Sequence, residues 1–171
     1  MKMKSAMALL ALSLLAAGVT LAADNMAFEG TLRAHACTLH PDDKMIPIDF
    51  GDLASRDLYL SGGTPDVAFN IRLLDCNTAV ARDVLVTFMG NQSTQIPGAL
   101  ALDPGSAAAG FAVVLKDAAK MPLRLGDTHS TALVSPDTTL LFHHSLAVVP
   151  GVQAVTPGQF SANGTFELHY P

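Results

Sequence analysis

The chain has 171 residues, of which 50% are hydrophobic, and its 10 basic and 15 acidic residues give a formal net charge of −5. This acidic balance, without any basic run, excludes a protein that binds nucleic acid. Beyond the first twenty or so residues, the sequence has no apolar run of the roughly 20 residues that a membrane-spanning helix needs.

The N-terminal segment has the layout of a secretory signal peptide. Positive charge at Lys2 and Lys4 is followed by an apolar stretch and then by small residues. Cleavage after Ala22 is favoured over cleavage after Ala23, because the smaller Thr20 then lies three residues before the cut. The alternative, a membrane anchor, is disfavoured by the short apolar stretch. Removing 22 residues from 171 leaves 149, with 8 basic and 15 acidic residues, a net charge of −7 and the size of one domain.

The segment that follows the cleavage site alternates between apolar and polar side chains. One face carries Met26, Phe28, Gly30 and Leu32, whereas the other carries Ala27, Glu29 and Thr31. A period of two indicates a half-buried strand. Burial of its three apolar side chains would contribute on the order of 6 kcal/mol before the cost of ordering. Such a strand either pairs within its own domain or is offered to another molecule.

The remainder of the chain is predicted to be short strands separated by turn residues. No segment has the pattern of a long amphipathic helix, and no repeat or linker divides the chain. About seven strands are typical of an all-β, immunoglobulin-like sandwich. The alternating sets lie at residues 46–50, 67–73, 84–88, 111–115 and 140–149, with a last set formed by Phe160, Phe166, Leu168 and Tyr170.

The two cysteines, Cys37 and Cys76, both lie in the mature part of the chain. An even count in an exported protein favours a disulfide. Such a link would remove roughly 4 kcal/mol of conformational freedom from the unfolded state. Two buried free thiols are the alternative.

The sequence predicts no enzyme, metal site, cofactor or small-molecule substrate. Six histidines suggest metal binding at first, but no Cys or His spacing matches a zinc motif. His143 and His144 are adjacent on a predicted strand and therefore point to opposite faces. No G-x-S-x-G motif places a serine nucleophile.

At the C-terminus, Phe166, Leu168 and Tyr170 fall on one face of a strand that ends with the chain. A sandwich that ended on an unpaired inner strand would expose a row of backbone groups beside an apolar slot.

Taken in order, these features resemble the pilins of chaperone–usher pili. The shared pattern is a signal peptide, an alternating extension with a glycine, two cysteines, a glycine fourteenth from the C-terminus and a penultimate tyrosine. The matching residues here are Gly30, Cys37, Cys76, Gly158 and Tyr170. Residues 55–58, 63–65 and 69–76 are similar to minor tip and adaptor subunits of P-type pili. The chain departs from the family at Pro171, which has no backbone N–H.

The resemblance implies an incomplete immunoglobulin-like β-sandwich that lacks its last strand. The implied organisation is a signal peptide (1–22), an N-terminal donor-strand extension (23–33) and a pilin domain (34–171). A periplasmic chaperone is expected to fill the groove first, and the extension of the next subunit to replace it at the outer-membrane usher. Donor-strand complementation of pilins is a known instance of β-strand addition. The assembled fimbrium would lie at the cell surface and contribute to adhesion.

The resemblance also implies roles for individual residues. The donor residues are Met26, Phe28, Gly30 and Leu32. The acceptor and chaperone-binding residues are Gly158, Phe160, Phe166, Leu168, Tyr170 and Pro171, whose carboxylate is expected to meet cationic side chains of the chaperone. The Cys37–Cys76 disulfide would stiffen the sandwich. A place as adaptor, repeating minor subunit or terminator stays open. The main alternative is a self-contained secreted sandwich that binds a ligand or protein, and a secreted hydrolase is a weaker one.

Overall fold

The computed structural model describes residues 35–171, which form an all-β sandwich. Within that range no helix is long and apolar enough to cross a bilayer. The elements, in chain order, are β1 (Thr38–Leu39), a 3-10 helix (Pro41–Lys44), α1 (Ser55–Ser61), β2 (Val67–Leu74), β3 (Asp83–Gly90), β4 (Phe111–Lys116), β5 (Thr128–Ala132), β6 (Thr138–Val148) and β7 (Gly164–His169).

The strands divide between two antiparallel sheets. The four-stranded sheet has the order β1-β2-β6-β4, and the three-stranded sheet has the order β5-β3-β7. β2 and β6 pair from Val67 opposite His144 to Leu73 opposite Thr138. Within the described residues, β7 has a strand neighbour on one side only, which is β3. The predicted immunoglobulin-like sandwich is confirmed, with an open side next to β7.

The core lies between the sheets because alternate residues of β2, β3 and β6 point inward. The period of two along a strand sends these apolar side chains to one face and polar residues to the other. The largest fully buried side chains are Ile71, Leu73, Leu140, Leu146, Val84 and Val86. These residues come from both sheets, so a single core holds the sandwich together.

The strand predicted over residues 46–50 is wrong. This segment lies in no strand, although Ile46 and Phe50 pack against the core. Pro47, its second residue, has no N–H to donate to a ladder. The apolar alternation therefore reflects an extended wall of the core rather than a paired strand.

Four elements were not predicted, namely β1, the 3-10 helix, α1 and β5. β5 has the sequence THSTA, in which apolar alternation is missing, and it pairs with β3 at the edge of its sheet. β1 has only two residues. α1 has seven residues and buries only Leu58, and Gly62 ends it in a left-handed conformation with φ of 73°. A single buried side chain gives no helical period to detect.

Candidate strand-acceptor groove

The C-terminal residues form one extended run that is longer than β7. Half-buried and exposed residues alternate along it, and the half-buried ones contact the core. β7 itself pairs with β3 from Gly164 opposite Gly90 to His169 opposite Leu85. The structure thus places most of the predicted acceptor residues on one face of this run, together with an unpredicted alanine: Phe160, Ala162, Phe166, Leu168 and Tyr170.

Residues 35–50 form a second wall beside this run. The ring of His35 lies 6.5 Å from that of Tyr170, and the ring of Phe50 lies 5.8 Å from that of Phe160, both measured between centroids. The two segments therefore run in opposite directions. In the part of the chain that the structure describes, no backbone hydrogen bond joins residues 35–50 to residues 160–170. We call the space between these two segments the acceptor groove.

The two walls belong to different sheets. Residues 35–50 are attached to the four-stranded sheet, because Thr38 and Leu39 pair with Leu74 and Leu73 of β2. The run that contains β7 belongs to the three-stranded sheet. The groove is therefore a gap between the sheets along one side of the sandwich.

A disulfide and an ion pair hold the first wall in place. Cys37 and Cys76 are bonded, which confirms the predicted disulfide and ties the start of β1 to the end of β2. The buried carboxylate of Asp43 accepts hydrogen bonds from the backbone N–H of Arg72 (2.6 Å) and from its guanidinium. The Arg72 guanidinium beside Asp43 lowers the pKa of that carboxyl. These links fix both ends of the short β1 segment.

Aromatic rings form the floor of the groove at one end. Phe160 packs against Phe111 with centroids 5.0 Å apart, and Phe50 packs against His144 at the same distance. Burial, and secondarily the nearby His143, lowers the pKa of His144. His143 points away from this floor, because its Nδ1 lies 3.0 Å from the carbonyl oxygen of Asp117. The pair therefore has no shared side on which to hold a metal.

The polar end of the groove is at Tyr170, where burial raises the pKa of the phenol. Pro171 follows it and is exposed.

Gly158 lies at the other end, just before Phe160. Its φ is 150°, and a Cβ placed on it would meet the Cβ of Ala107 at 2.8 Å. Glycine therefore allows residues 157–159 to approach the neighbouring loop closely. A cavity of about 60 Å³ opens beside this glycine, lined mainly by Leu53, Leu58, Ala108, Phe111, Val155 and Phe160.

Sequence reasoning did not place residues 35–50 beside the C-terminal run. His35 and Phe50 carried no signal that they face the C-terminal run, since only the fold brings residues so far apart together. The predicted donor residues lie outside the described residues: Met26, Phe28, Gly30 and Leu32. Their role stays a prediction.

Comparison with known proteins identifies the class of this sandwich. The family described as "Fimbrial protein" matches residues 26–171. The chain is 33% identical to the fimbrial adapter PapK of Escherichia coli, with 98% of both chains covered. It is 28% identical to the major MR/P fimbria protein of Proteus mirabilis, with 90% of each covered. The crystal structure of the P pilus rod subunit PapA has the same fold, with a TM-score of 0.70, 24% identity, and coverage of 80% of this chain and 100% of that one.

The chain belongs to the fimbrial protein family. The resemblance to chaperone–usher pilins, predicted from the order of its motifs, is thereby confirmed, and the chain is a structural pilin.

Proposed function

We propose that this pilin is a minor subunit of adaptor or tip type in a chaperone–usher fimbria, and that its acceptor groove takes the N-terminal strand of a neighbouring subunit. The observation that carries the proposal is the C-terminal run from Phe160 to Tyr170. Its alternate side chains face the core, and within residues 35–171 its other edge has no strand partner. An added strand would gain main-chain hydrogen bonds and apolar contacts together.

The same chain would act as a donor at its other end. Met26, Phe28, Gly30 and Leu32 have the alternation that such a groove requires, and the family match begins at residue 26. Each subunit would then accept a strand from one neighbour and offer a strand to another. A head-to-tail contact of this kind does not close on itself, so it builds a fibre.

Before assembly, a periplasmic chaperone would occupy the groove, and the usher of the outer membrane would exchange it for a pilin strand. The need for a chaperone follows from the groove, because an apolar slot beside an unpaired strand edge invites aggregation. The exposed Pro171 leaves the terminal carboxylate accessible for a cationic cleft. The assembled fimbria would carry the subunit to the cell surface and contribute to adhesion.

Similarity to a protein named as an adapter supports the adaptor position. The PapK of Escherichia coli matches along 98% of its own length. An adaptor needs both an open acceptor groove and a donor segment, since it joins two different subunits. A terminator would need only the donor segment.

A relocated variant tests the groove directly. Residues 1–33 are removed, and the segment 24–33 is placed after Pro171 through a short flexible linker, which keeps its local concentration high. A strand that follows β7 through a short turn pairs with it antiparallel. Because three apolar side chains become buried, we expect the melting temperature to exceed that of the truncated chain without this segment by about 10 °C or more.

The matched control has the same composition with the alternation out of phase. It exchanges each apolar residue with the residue after it: Met26 with Ala27, Phe28 with Glu29, and Leu32 with Arg33. This exchange turns the apolar side chains to the other face of the strand. If the relocated variant and the control melt at the same temperature, the groove accepts no strand, and a self-contained binding module becomes the better interpretation.

A further inference from the structure

The backbone pairing of the C-terminal run changes partner where β3 ends. β7 pairs with β3 back to Gly164, which lies opposite Gly90. For residues 159–163 the loop at 103–108 takes over. The N–H of Asp103 donates to the carbonyl of Ser161 (2.8 Å), and the N–H groups of Ala107 and Ala108 donate to the carbonyl of Gln159 (2.8 and 3.1 Å). Beyond the end of β3, this loop is therefore the backbone hydrogen-bond partner of the C-terminal run.

Side chains reinforce the same contact. Asp103 Oδ2 accepts a hydrogen bond from Ser161 Oγ at 2.9 Å and another from Asn163 Nδ2 at 2.6 Å. The hydroxyl of Ser106 donates to the carbonyl of Ser161 (3.2 Å) and accepts from its N–H (3.1 Å). One carboxylate oxygen thus holds two outward-facing side chains of the run. We call Asp103, Ser161 and Asn163 the loop latch.

The contact with this loop shows where the neighbouring residues direct their backbone groups. In an extended chain, successive residues send their N–H and C=O to opposite sides. Gln159 and Ser161 point toward the loop, so Phe160 and Ala162 point toward the groove. In the described part of the chain, the backbone groups of Phe160 and Ala162 form no hydrogen bond. Their side chains also face the core, as those of Phe166 and Leu168 do.

We propose that Asp103 is a positioning residue that, through Ser161 and Asn163, holds residues 159–163 extended and so lengthens the strand-accepting edge from β7 back to Phe160. The inference rests on the proposed function, since it concerns the edge that an incoming strand would pair with. Without the latch, this segment keeps only its backbone hydrogen bonds and the Ser106 contacts to an irregular loop, and exposed segments with few contacts open at low free-energy cost. Their opening would leave the incoming strand without partners at this end.

The test uses the mature chain, residues 23–171, and a fluorescent synthetic peptide of residues 24–33 as the probe strand. Asp103→Ala removes the acceptor oxygen. Asp103→Asn keeps an acceptor oxygen that both donors can reach, so it is the conservative variant. Asp127→Ala is the control, because Asp127 is an aspartate in another loop and is exposed. Peptide affinity and amide hydrogen exchange at Phe160 and Ala162 are measured for each protein.

We expect Asp103→Ala to bind the peptide about tenfold more weakly, because two hydrogen bonds to a charged group are lost. It should also lose the protection of the Phe160 and Ala162 amides that peptide gives the wild type. Asp103→Asn and Asp127→Ala should behave as the wild type. Ser161→Ala and Asn163→Ala each remove one donor, so their peptide affinity and amide protection should lie between those of the wild type and Asp103→Ala. These variants keep the inference testable if Asp103→Ala folds poorly.

Three contrary results are distinguishable. Wild-type protein that binds no peptide would overturn the proposed function, and the inference with it. Wild-type binding with unchanged affinity and amide protection in Asp103→Ala would overturn the latch alone. Equal losses in Asp103→Asn and Asp103→Ala would also overturn it, because the acceptor geometry would then not be the cause.

Discussion

His144 packs edge to face against Phe50, with ring centroids 5.0 Å apart. The contact joins a buried position of β6 to the first wall of the acceptor groove. The ring of Phe69 also lies near the imidazole, with centroids 6.0 Å apart, and Nδ1 has no hydrogen-bond partner within the described residues. An imidazolium would be poorly solvated among these rings, so the site favours the neutral form.

The first prediction is a loss of stability in mild acid that depends on His144. Its pKa in the folded protein is lowered from the ordinary value of 6.5, so the unfolded chain binds a proton first. The contribution of neutral His144 to the free energy of unfolding is then complete above that value. It is lost as pH drops from about 6.5 toward the folded pKa. In His144→Phe, the free energy of unfolding should depend less on pH. Urea unfolding between about pH 5 and pH 7.5 measures this dependence.

The control for this experiment is His169→Gln, which removes an exposed histidine on the outer face of β7. It should keep the slope of the wild type. A His144→Phe profile as steep as that of the control would show that the buried imidazole is not the group that titrates.

The second prediction compares two adjacent leucines of β6. Leu140 is 1% exposed and Leu141 is 41% exposed. Leu140→Ala leaves a cavity in the core and should cost about 2–5 kcal/mol of unfolding free energy. Leu141→Ala should cost less than about 1 kcal/mol, because that side chain is largely in solvent. Chemical denaturation measures the loss of unfolding free energy in both variants. Equal losses would contradict the assignment of Leu140 to the core face of β6 and Leu141 to its outer face.

The third prediction concerns the glycine that precedes the acceptor run. Gly158→Ala places a Cβ 2.8 Å from Ala107 and forces an alanine to a φ of 150°. We expect the melting temperature to fall by about 5 °C. Gly105→Ala is the control, since a Cβ there meets nothing within 4 Å. A Gly158→Ala protein that melts like this control would mean that the loop moves aside without cost.

The fourth prediction separates two adjacent aspartates in the 3-10 helix. The Asp43 side chain is 7% exposed and bonded to Arg72, whereas the Asp42 side chain is 78% exposed. Asp43→Ala should lower the melting temperature by about 5 °C, because it leaves the backbone N–H of Arg72 without its partner. Asp42→Ala should change it little.

Acid should act on the same contact. The lowered pKa of Asp43 means that its contribution is present above the ordinary value of 3.8 and is lost as pH falls through the folded pKa. In Asp43→Ala, the loss of stability that protonation of Asp43 causes in acid should disappear. Equal melting temperatures for the Asp42 and Asp43 variants would indicate that the ion pair does not anchor the wall.

Sequence alone was sufficient for the strands that line the core. In β2 and β3, alternate residues are apolar and buried because one face of the strand is covered, so the pattern and the structure have the same cause. β4 and β6 also bury consecutive residues, so their alternation is less regular. The pattern failed at residues 46–50, which have the same alternation. That segment faces the core from the side of the groove, and alternation reports burial but not whether a neighbouring strand is present.

The latch could not be predicted from sequence for a different reason. Asp103 lies 58 residues from Ser161 and 60 from Asn163, in a loop without regular spacing. Hydrogen bonds between a loop and a distant segment produce no periodic pattern of residues in the sequence of either one. The terminal pattern of Phe160, Phe166, Leu168 and Tyr170 was visible, whereas the place of Ala162 on the same face and the loop beside it depend on the fold.

The placement of the groove walls on separate sheets has a mechanical consequence for a fibre built in the proposed way. A strand inserted between residues 35–50 and the C-terminal run would join both sheets into one continuous barrel-like wall. It could then leave only if the receiving domain opened along that whole side. The lifetime of a joint between subunits under tension would therefore be set by the unfolding rate of the domain rather than by an ordinary dissociation rate.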